Sequence, residues 1–201
     1  MIIIGLTGPS GAGKGVVSEI LRKKYGFHTI DADKVYHTLV SSSSKCLDEI
    51  KEHFGENVIA HDGSLDRCML REKVFGKENA ERLDLLNKIT HKHVLNSIRE
   101  EMSTLDLRIS GCVVDAPLLI ESGFVSECDF TISVLADESI RAKRISQRDG
   151  LSVYDSLKRI RSQKADDYYI ENTDYSIIND GDLSSLEPSL SKILNERGLS
   201  I

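Results

Sequence analysis

The 201-residue sequence predicts an α/β protein of three layers, a five-stranded parallel sheet covered on both faces by helices, with a helical insert and a helical lid. Three observations lead there. Short β-branched runs of continuous apolar character alternate with helical pattern, as strands buried on both faces of a parallel sheet do. A glycine-rich turn joins the first of these runs to the first helical segment. Between the second and third runs lie about eighty residues of charged helical pattern without a convincing strand, a length that a compact domain rarely spends on a plain connection.

Taken in order, "MIIIGLT" is the first strand, and "KGVVSEILRKKYG" the first helix, in which Val16, Val17, Ile20 and Leu21 recur at helical spacing until Gly26 stops it. The remaining strands are "FHTIDAD", "GCVVDAP", "DFTISVLA" and "YSIIND", each bounded by turn or cap residues. The segment from "KVYHTLV" through "DLRIS" is assigned to the insert, and "SSSS" at 41–44 to a turn or helix cap. The expected organisation is a single domain: a core from 1–34, 112–136 and 174–201, an insert at 35–111 and a lid region at 137–173.

Bulk properties narrow the function. A net charge of −6 argues against a nucleic-acid or membrane-surface role, since either favours a basic footprint. A small-molecule partner is the expectation. Cys46, Cys68, Cys112 and Cys128 show no CxxC pair or zinc-site spacing, which suits reduced thiols. The amino terminus lacks the pattern of a signal peptide, and no run approaches a membrane span. The expected location is the cytoplasm, and the oligomeric state is left open.

Chemistry concentrates in "GLTGPSGAGKGVV". Gly8, Gly13 and Lys14 fit G-x-x-x-x-G-K, and Gly11 adds a position where backbone can approach a phosphate. The loop follows the first strand and opens a helix, so its amides and the positive helix end point at one anion site. Gly15 stands where a magnesium-binding Ser or Thr is expected, which removes one direct metal contact and leaves the other aids to phosphoryl transfer.

Two groups of carboxylates accompany the loop. Asp31 and Asp33 in "TIDADKV" close the second strand, where alternate residues share a face and the strand ends open onto the ligand crevice. One of them can meet an acceptor hydroxyl; the other reading makes Asp33 a helix cap and Asp31 a solvated side chain. Asp115 ends the apolar run "CVVDAP", where it can hold water on a magnesium ion.

One segment reverses the charge of the chain. From Arg141 to Lys164, eight basic residues stand against Asp149 and Asp155, a local charge of +6 that leaves −12 for the remainder. Arg141, Arg144 and Arg148 share a helix face by their spacing, and "DG" at 149–150 breaks to a second helix bearing Arg159. A mobile basic lid over ATP phosphates uses guanidinium groups in this way; a solvated helical hairpin is the alternative.

Nearly the full chain resembles the dephospho-coenzyme A kinase family of P-loop kinases, through "GLTG....GK", "IDAD", "GSLDRCMLREKVF", "LNKITH", "DAPLLIESG", the arginine and glutamine pattern of 144–163 and "DYSIIND". The resemblance implies transfer of the ATP γ-phosphate to the ribose 3'-hydroxyl of dephospho-coenzyme A, with Mg2+. It assigns Gly8, Gly11, Ala12, Gly13, Lys14, Gly15, Val16, Arg148 and Asn179 to ATP. Lys14, Asp33 and Arg144 become catalytic groups, with Asp33 as the base, and Asp115 serves the metal. Asp66, Arg67 and His91 fall in an insert that resembles the acceptor-binding part. The sequence departs from the family at Gly15, at Lys92 where Pro is usual, at Ile120 in place of Phe, and at Tyr169 in place of a lid lysine, whose duty Lys164 can take over. A nucleoside-monophosphate-type kinase with another small acceptor, or a nucleotide-binding paralog without catalysis, are the alternatives.

Overall fold

The structure, a computed structural model, describes residues 1–106, 109–181 and 183–199. In chain order its elements are β1 (Ile2–Thr7), α1 (Lys14–Tyr25), β2 (His28–Asp31), α2 (Ala32–Ser41), α3 (Lys45–Phe54), α4 (Arg67–Val74) and α5 (Ala80–Thr104). There follow β3 (Gly111–Asp115), β4 (Phe130–Leu135), α6 (Glu138–Asp149), α7 (Val153–Arg161), α8 (Asp166–Glu171), β5 (Tyr175–Ile178) and α9 (Leu183–Glu196). The chain divides into two compact units, Met1–Ile30 with Asp106–Ile201, and Asp31–Leu105.

The first unit is the sheet and its helices. Strand order is β2-β3-β1-β4-β5, with β1 paired in parallel to β3 and to β4, and β4 in parallel to β5. All five expected strands are present. The strands are buried on both faces: Cys112, Val114, Thr131 and Ser133 on one, and Ile4, Leu6, Val113, Ile132 and Val134 on the other, are fully buried or nearly so. On the latter face they pack with Val17 and Leu21 of α1 and Leu186, Leu190 and Leu194 of α9. Burial of each such aliphatic side chain contributes about 1.5–3 kcal/mol, so this face supplies much of the stability of the unit.

The strand order also sets where a ligand binds. From β1 the chain goes first to β2 and β3 on one side and later to β4 on the other, so the carboxyl end of β1 is the switch point of the sheet, where such folds open a crevice. Residues 8–13 lie there, between β1 and α1.

The second unit is helical, as expected, and begins at Asp31 and ends at Leu105, a few residues before the 35 and 111 expected. Two residues of "DLRIS", Leu107 and Arg108, lie outside the described residues. Its core gathers Val40, Leu47, Ile50, Phe54, Leu70, Val74 and Ile89. In the serine tract, Ser44 caps α3 by accepting a bond from the Leu47 amide at 3.0 Å. An antiparallel bridge between Ile59 and Leu65 adds a small β contact that apolar periodicity did not signal.

Residues 137–173 fold as three helices rather than two, and α6 and α7 share a small core of Ala142, Ile145 and Ile160. They cluster with the sheet. Among the described residues, no helix is long and apolar enough to cross a membrane.

Candidate active site

The loop after β1 owes its path to glycines. At Gly8 (φ +137°) a Cβ would lie 2.2 Å from the Val134 carbonyl oxygen of β4, and at Gly13 (φ +96°) 2.2 Å from Asn179 Nδ2. Both positions therefore exclude side chains twice over, by backbone conformation and by contact. Gly11 is tight for another reason than the phosphate approach read from the sequence, because a Cβ there would meet the Arg141 carbonyl of α6 at 2.8 Å.

Gly13 is also the N-cap of α1, with no side-chain cap bond and no acidic residue in the first turn. The amides that open a helix need partners, and here neither cap nor carboxylate competes for them, so they can serve an anion. Lys14 is the first residue of α1, and its Nζ donates to the Gly8 carbonyl at 2.9 Å, drawing the loop into a cradle beneath the ammonium group.

Side chains from the far side of the sheet hold the cradle in place. Asn179, buried after β5, donates Nδ2 to the Ala12 carbonyl at 2.8 Å. Arg144 of α6 donates to the Gly11 and Ala12 carbonyls, each at 3.2 Å, and to Asn179 Oδ1 at 3.4 Å. Arg141, also buried, donates to the Ser10 carbonyl at 3.1 Å, to Gln163 Oε1 at 3.2 Å and to Asp166 at 3.3 Å. Gln163 accepts in turn from the Ser10 amide at 3.1 Å.

These bonds revise the reading of the lid. Its three arginines do share one face, but the first two turns of α6 are fastened to the phosphate loop rather than poised above it. Arg148 lies one turn further out, exposed, and pairs with Asp149 at 2.7 Å while reaching Ser10 Oγ at 3.4 Å. That guanidinium, with Arg159 added, holds the Asp149 carboxyl below the usual carboxylate range. Tyr169 belongs to the core: it is buried, stacks edge-on with Tyr168 at 5.5 Å, and its phenol is pushed up by burial. A lysine cannot be exchanged for it as a lid group without burying a charge. Lys164 is exposed, over the Tyr168 ring at 5.3 Å.

Asp115 ends β3, half-buried, and accepts a bond from Ser18 Oγ of α1 at 3.3 Å. Gly15 is exposed and free of any positive φ, and a Cβ added there would meet nothing within 4 Å. Gly15→Ala is therefore expected to stabilise the protein by about 0.5–1 kcal/mol, through helix propensity and a less flexible unfolded chain. Urea unfolding followed by circular dichroism measures it; a loss of stability would show that the position is crowded.

Among the described residues there is no group of three or more His, Cys, Asp or Glu that can hold a metal on its own. A magnesium ion held by one carboxylate, water and the phosphates of a bound nucleotide needs no such group. Asp115, bonded to α1 just beyond the anion cradle, fits that case.

In the helical unit the candidate residues have other surroundings. The strand reading of Asp31 and Asp33 does not hold: β2 ends at Asp31, and Asp33 lies in the first turn of α2. The cap is Asp31, not Asp33, and its carboxylate accepts from the Lys34 amide at 3.1 Å. Asp33 is exposed. Asp66 caps α4, accepting from the Cys68 and Met69 amides at 3.0 Å. Arg67, the first residue of α4, meets His37 Nδ1 at 2.5 Å, and His37 stands one turn after Asp33 on α2. His91 is half-buried on α5. The neighbouring Lys92 and His93 both pair with Glu49, so Lys92, in the place of a proline, has a local partner.

Sequence reasoning missed Ser18 and His37, and the role of Gln163. Ser18 carried a signal, being four residues after Lys14 and so on the same helix face. His37 carried the same signal relative to Asp33. Gln163 stood in the motif of 144–163, but its task did not show there, since the Ser10 amide it accepts from is 153 residues away in the chain.

Comparison with known proteins adds independent findings. A family model described as dephospho-CoA kinase matches residues 2–185. A dephospho-CoA kinase of Corynebacterium glutamicum is 36% identical over 197 residues, 98% of this chain and 97% of that protein. One from Carboxydothermus hydrogenoformans is 36% identical over 195 residues, 96% and 93% of the two chains. Among solved structures, dephospho-CoA kinase from Campylobacter jejuni superposes with a TM-score of 0.66 at 28% identity, covering 97% of this chain and 96% of that one. Shikimate kinase from Acinetobacter baumannii, at 17% identity and TM-score 0.56 over 98% and 93% of the chains, shares the fold.

Proposed function

The chain belongs to the dephospho-CoA kinase family, and on that premise we propose that it transfers the γ-phosphoryl group of ATP to the ribose 3'-hydroxyl of dephospho-coenzyme A, giving coenzyme A and ADP. The observation that carries this reading is the cradle of residues 8–14: an uncapped helix start and an ammonium group converge on one anion site at the switch point of the sheet.

In the proposed reaction a bond forms from the 3'-oxygen to the γ-phosphorus as the bond to the β–γ bridging oxygen breaks. The protein does little covalent work; positioning and charge neutralisation carry the rate. The amides of residues 11–16 hold the phosphates, and Lys14 lies against the β and γ groups. Asn179 and Arg144 act mainly on the loop, fixing the carbonyls of Gly11 and Ala12 so that the amides keep their direction. Arg148 exchanges Asp149 for phosphate oxygens when nucleotide is bound. Asp33 orients the acceptor hydroxyl and accepts its proton late in the transfer. Arg67 and His91 bind the acceptor, with Asp66 setting the start of α4 beneath Arg67. A bound Mg2+ would neutralise the charge that develops on the transferring group, and Asp115 would hold it through water.

The proposed location is the cytoplasm, in keeping with thiols held protonated by burial: Cys46 is pushed up to about 11 and Cys128 to about 12. The decisive experiment combines purified protein, ATP, Mg2+ and dephospho-coenzyme A, with the product identified by mass and the phosphorylated position by NMR. Coenzyme A and ADP in equal amounts are expected. Phosphorylation of a nucleoside monophosphate in preference to dephospho-coenzyme A would replace this reading with the other kinase class; tight ATP binding without turnover on any acceptor would replace it with a nucleotide-binding role.

A further inference from the structure

The phosphate loop lacks a hydroxyl at position 15, yet α1 carries one a single turn later. Ser18 follows Lys14 by four residues and Gly15 by three, so all three lie toward one side of the helix. A helical serine commonly turns its hydroxyl back to the carbonyl one turn earlier. Ser18 instead donates across to Asp115 Oδ2 at 3.3 Å, bridging α1 to the end of β3. That distance is at the long end for a hydroxyl–carboxylate bond.

We propose that Ser18 is a positioning residue for the divalent cation: its hydroxyl holds the Asp115 carboxylate at the mouth of the phosphate cradle and so makes up for the ligand missing at position 15. The inference rests on the kinase reading for its cation and goes beyond it in assigning the side chain. It also explains how the loop tolerates Gly15. A hydroxyl at 15 would act on the cation directly; one at 18 acts through the carboxylate, and partners of this kind typically change metal affinity by about 10–100-fold when removed.

The surroundings support an exchange between the two positions. Ser18 is half-buried, and alanine in its place keeps the helix, so the substitution removes the hydroxyl and little else. At Gly15 a serine meets nothing within 4 Å of its Cβ, so a hydroxyl can be restored there without displacing a neighbour.

The test is calorimetric titration of Mg2+, and separately Mn2+, into the protein saturated with a non-hydrolysable ATP analogue, alongside analogue binding in EDTA. Ser18→Ala is expected to weaken cation affinity about tenfold while leaving cation-free nucleotide affinity within about twofold. Ser18→Thr, which keeps the hydroxyl, is expected to stay near wild type, and Gly15→Ser in the Ser18→Ala background to recover most of the loss. The proposal is overturned if Ser18→Ala leaves cation affinity within about twofold of wild type, if nucleotide binding in EDTA falls as much as cation binding, or if Gly15→Ser restores nothing. These readouts need no turnover. A wild-type protein that binds cation with nucleotide as described but does not phosphorylate dephospho-coenzyme A sinks the activity and leaves the role of Ser18 standing.

Discussion

Lys14→Met lowers kcat/KM for ATP by about a thousandfold, at the upper end of what loss of one preorganised electrostatic group does to a transfer reaction. Two losses combine. The ammonium group no longer meets the charge that develops on the transferring phosphoryl group, and the bond from Nζ to the Gly8 carbonyl, 2.9 Å in the intact loop, is gone. The first loss acts on the transition state, the second on the shape of the cradle. A loss in kcat with a smaller change in nucleotide affinity identifies the first as dominant, since an interaction stronger in the transition state than in the ground state shows in kcat. Arginine is not a substitute, because a planar fork cannot bond the Gly8 carbonyl and present a compact charge to the phosphates from the same place. Steady-state kinetics and analogue titration on the same preparations make the measurement. Turnover within about tenfold of wild type would mean that the ammonium group is not in the reaction, and the phosphate cradle would then need another occupant.

Asp33→Asn gives the second large effect, a fall in kcat of about 10²–10⁴-fold, the range of a well-placed general base, with ATP affinity unchanged. The stability change is small and its direction follows from position. Asp33 is exposed in the first turn of α2, where a negative charge favours the helix dipole by about 0.3–1 kcal/mol, so asparagine destabilises by no more than that. Activity and stability therefore separate cleanly at this residue. The comparison variant is Asp31→Asn: the Asp31 carboxylate caps α2 through the Lys34 amide, and asparagine caps nearly as well, so turnover is retained. If Asp33→Asn turns over like wild type while Asp31→Asn does not, the base has been assigned to the wrong carboxylate.

The contrast between these two aspartates shows where local pattern stops. "IDADKV" marked the pair as chemically important, but strand periodicity was carried two residues too far. The chain leaves β2 at Asp31 because the carboxylate there satisfies an amide of the next helix, and a cap is a local bond that alternation of apolar residues does not register. The five strands, the first helix with its stop at Gly26, and the helical insert were legible because each rests on local pattern: buried β-branched runs, helical spacing, a glycine in the left-handed region (φ +68°). The lid was legible in its charge and not in its task. Counting arginines on a face could not show that Arg141 and Arg144 are spent on the carbonyls of Ser10, Gly11 and Ala12.

Tyr169 makes the same distinction by burial. Aligned against a lid lysine it reads as a lost function; enclosed beside Tyr168 it is part of the packing under α8, and the phenol is raised by desolvation rather than set for chemistry. Gly11 reads as room for a phosphate and is also room for α6.

The sequence alone determined the class of fold, the place of the phosphate loop and the family, since these depend on residues adjacent in the chain or on motifs whose spacing the backbone fixes. Tertiary structure decided what holds the loop in shape: Asn179, Arg144, Arg141, Gln163 and, across from β3, the bond between Ser18 and Asp115. Such bonds join residues far apart in sequence, and their energy depends on which donors and acceptors the folded chain brings within about 3 Å of each other, a distance that no local pattern encodes.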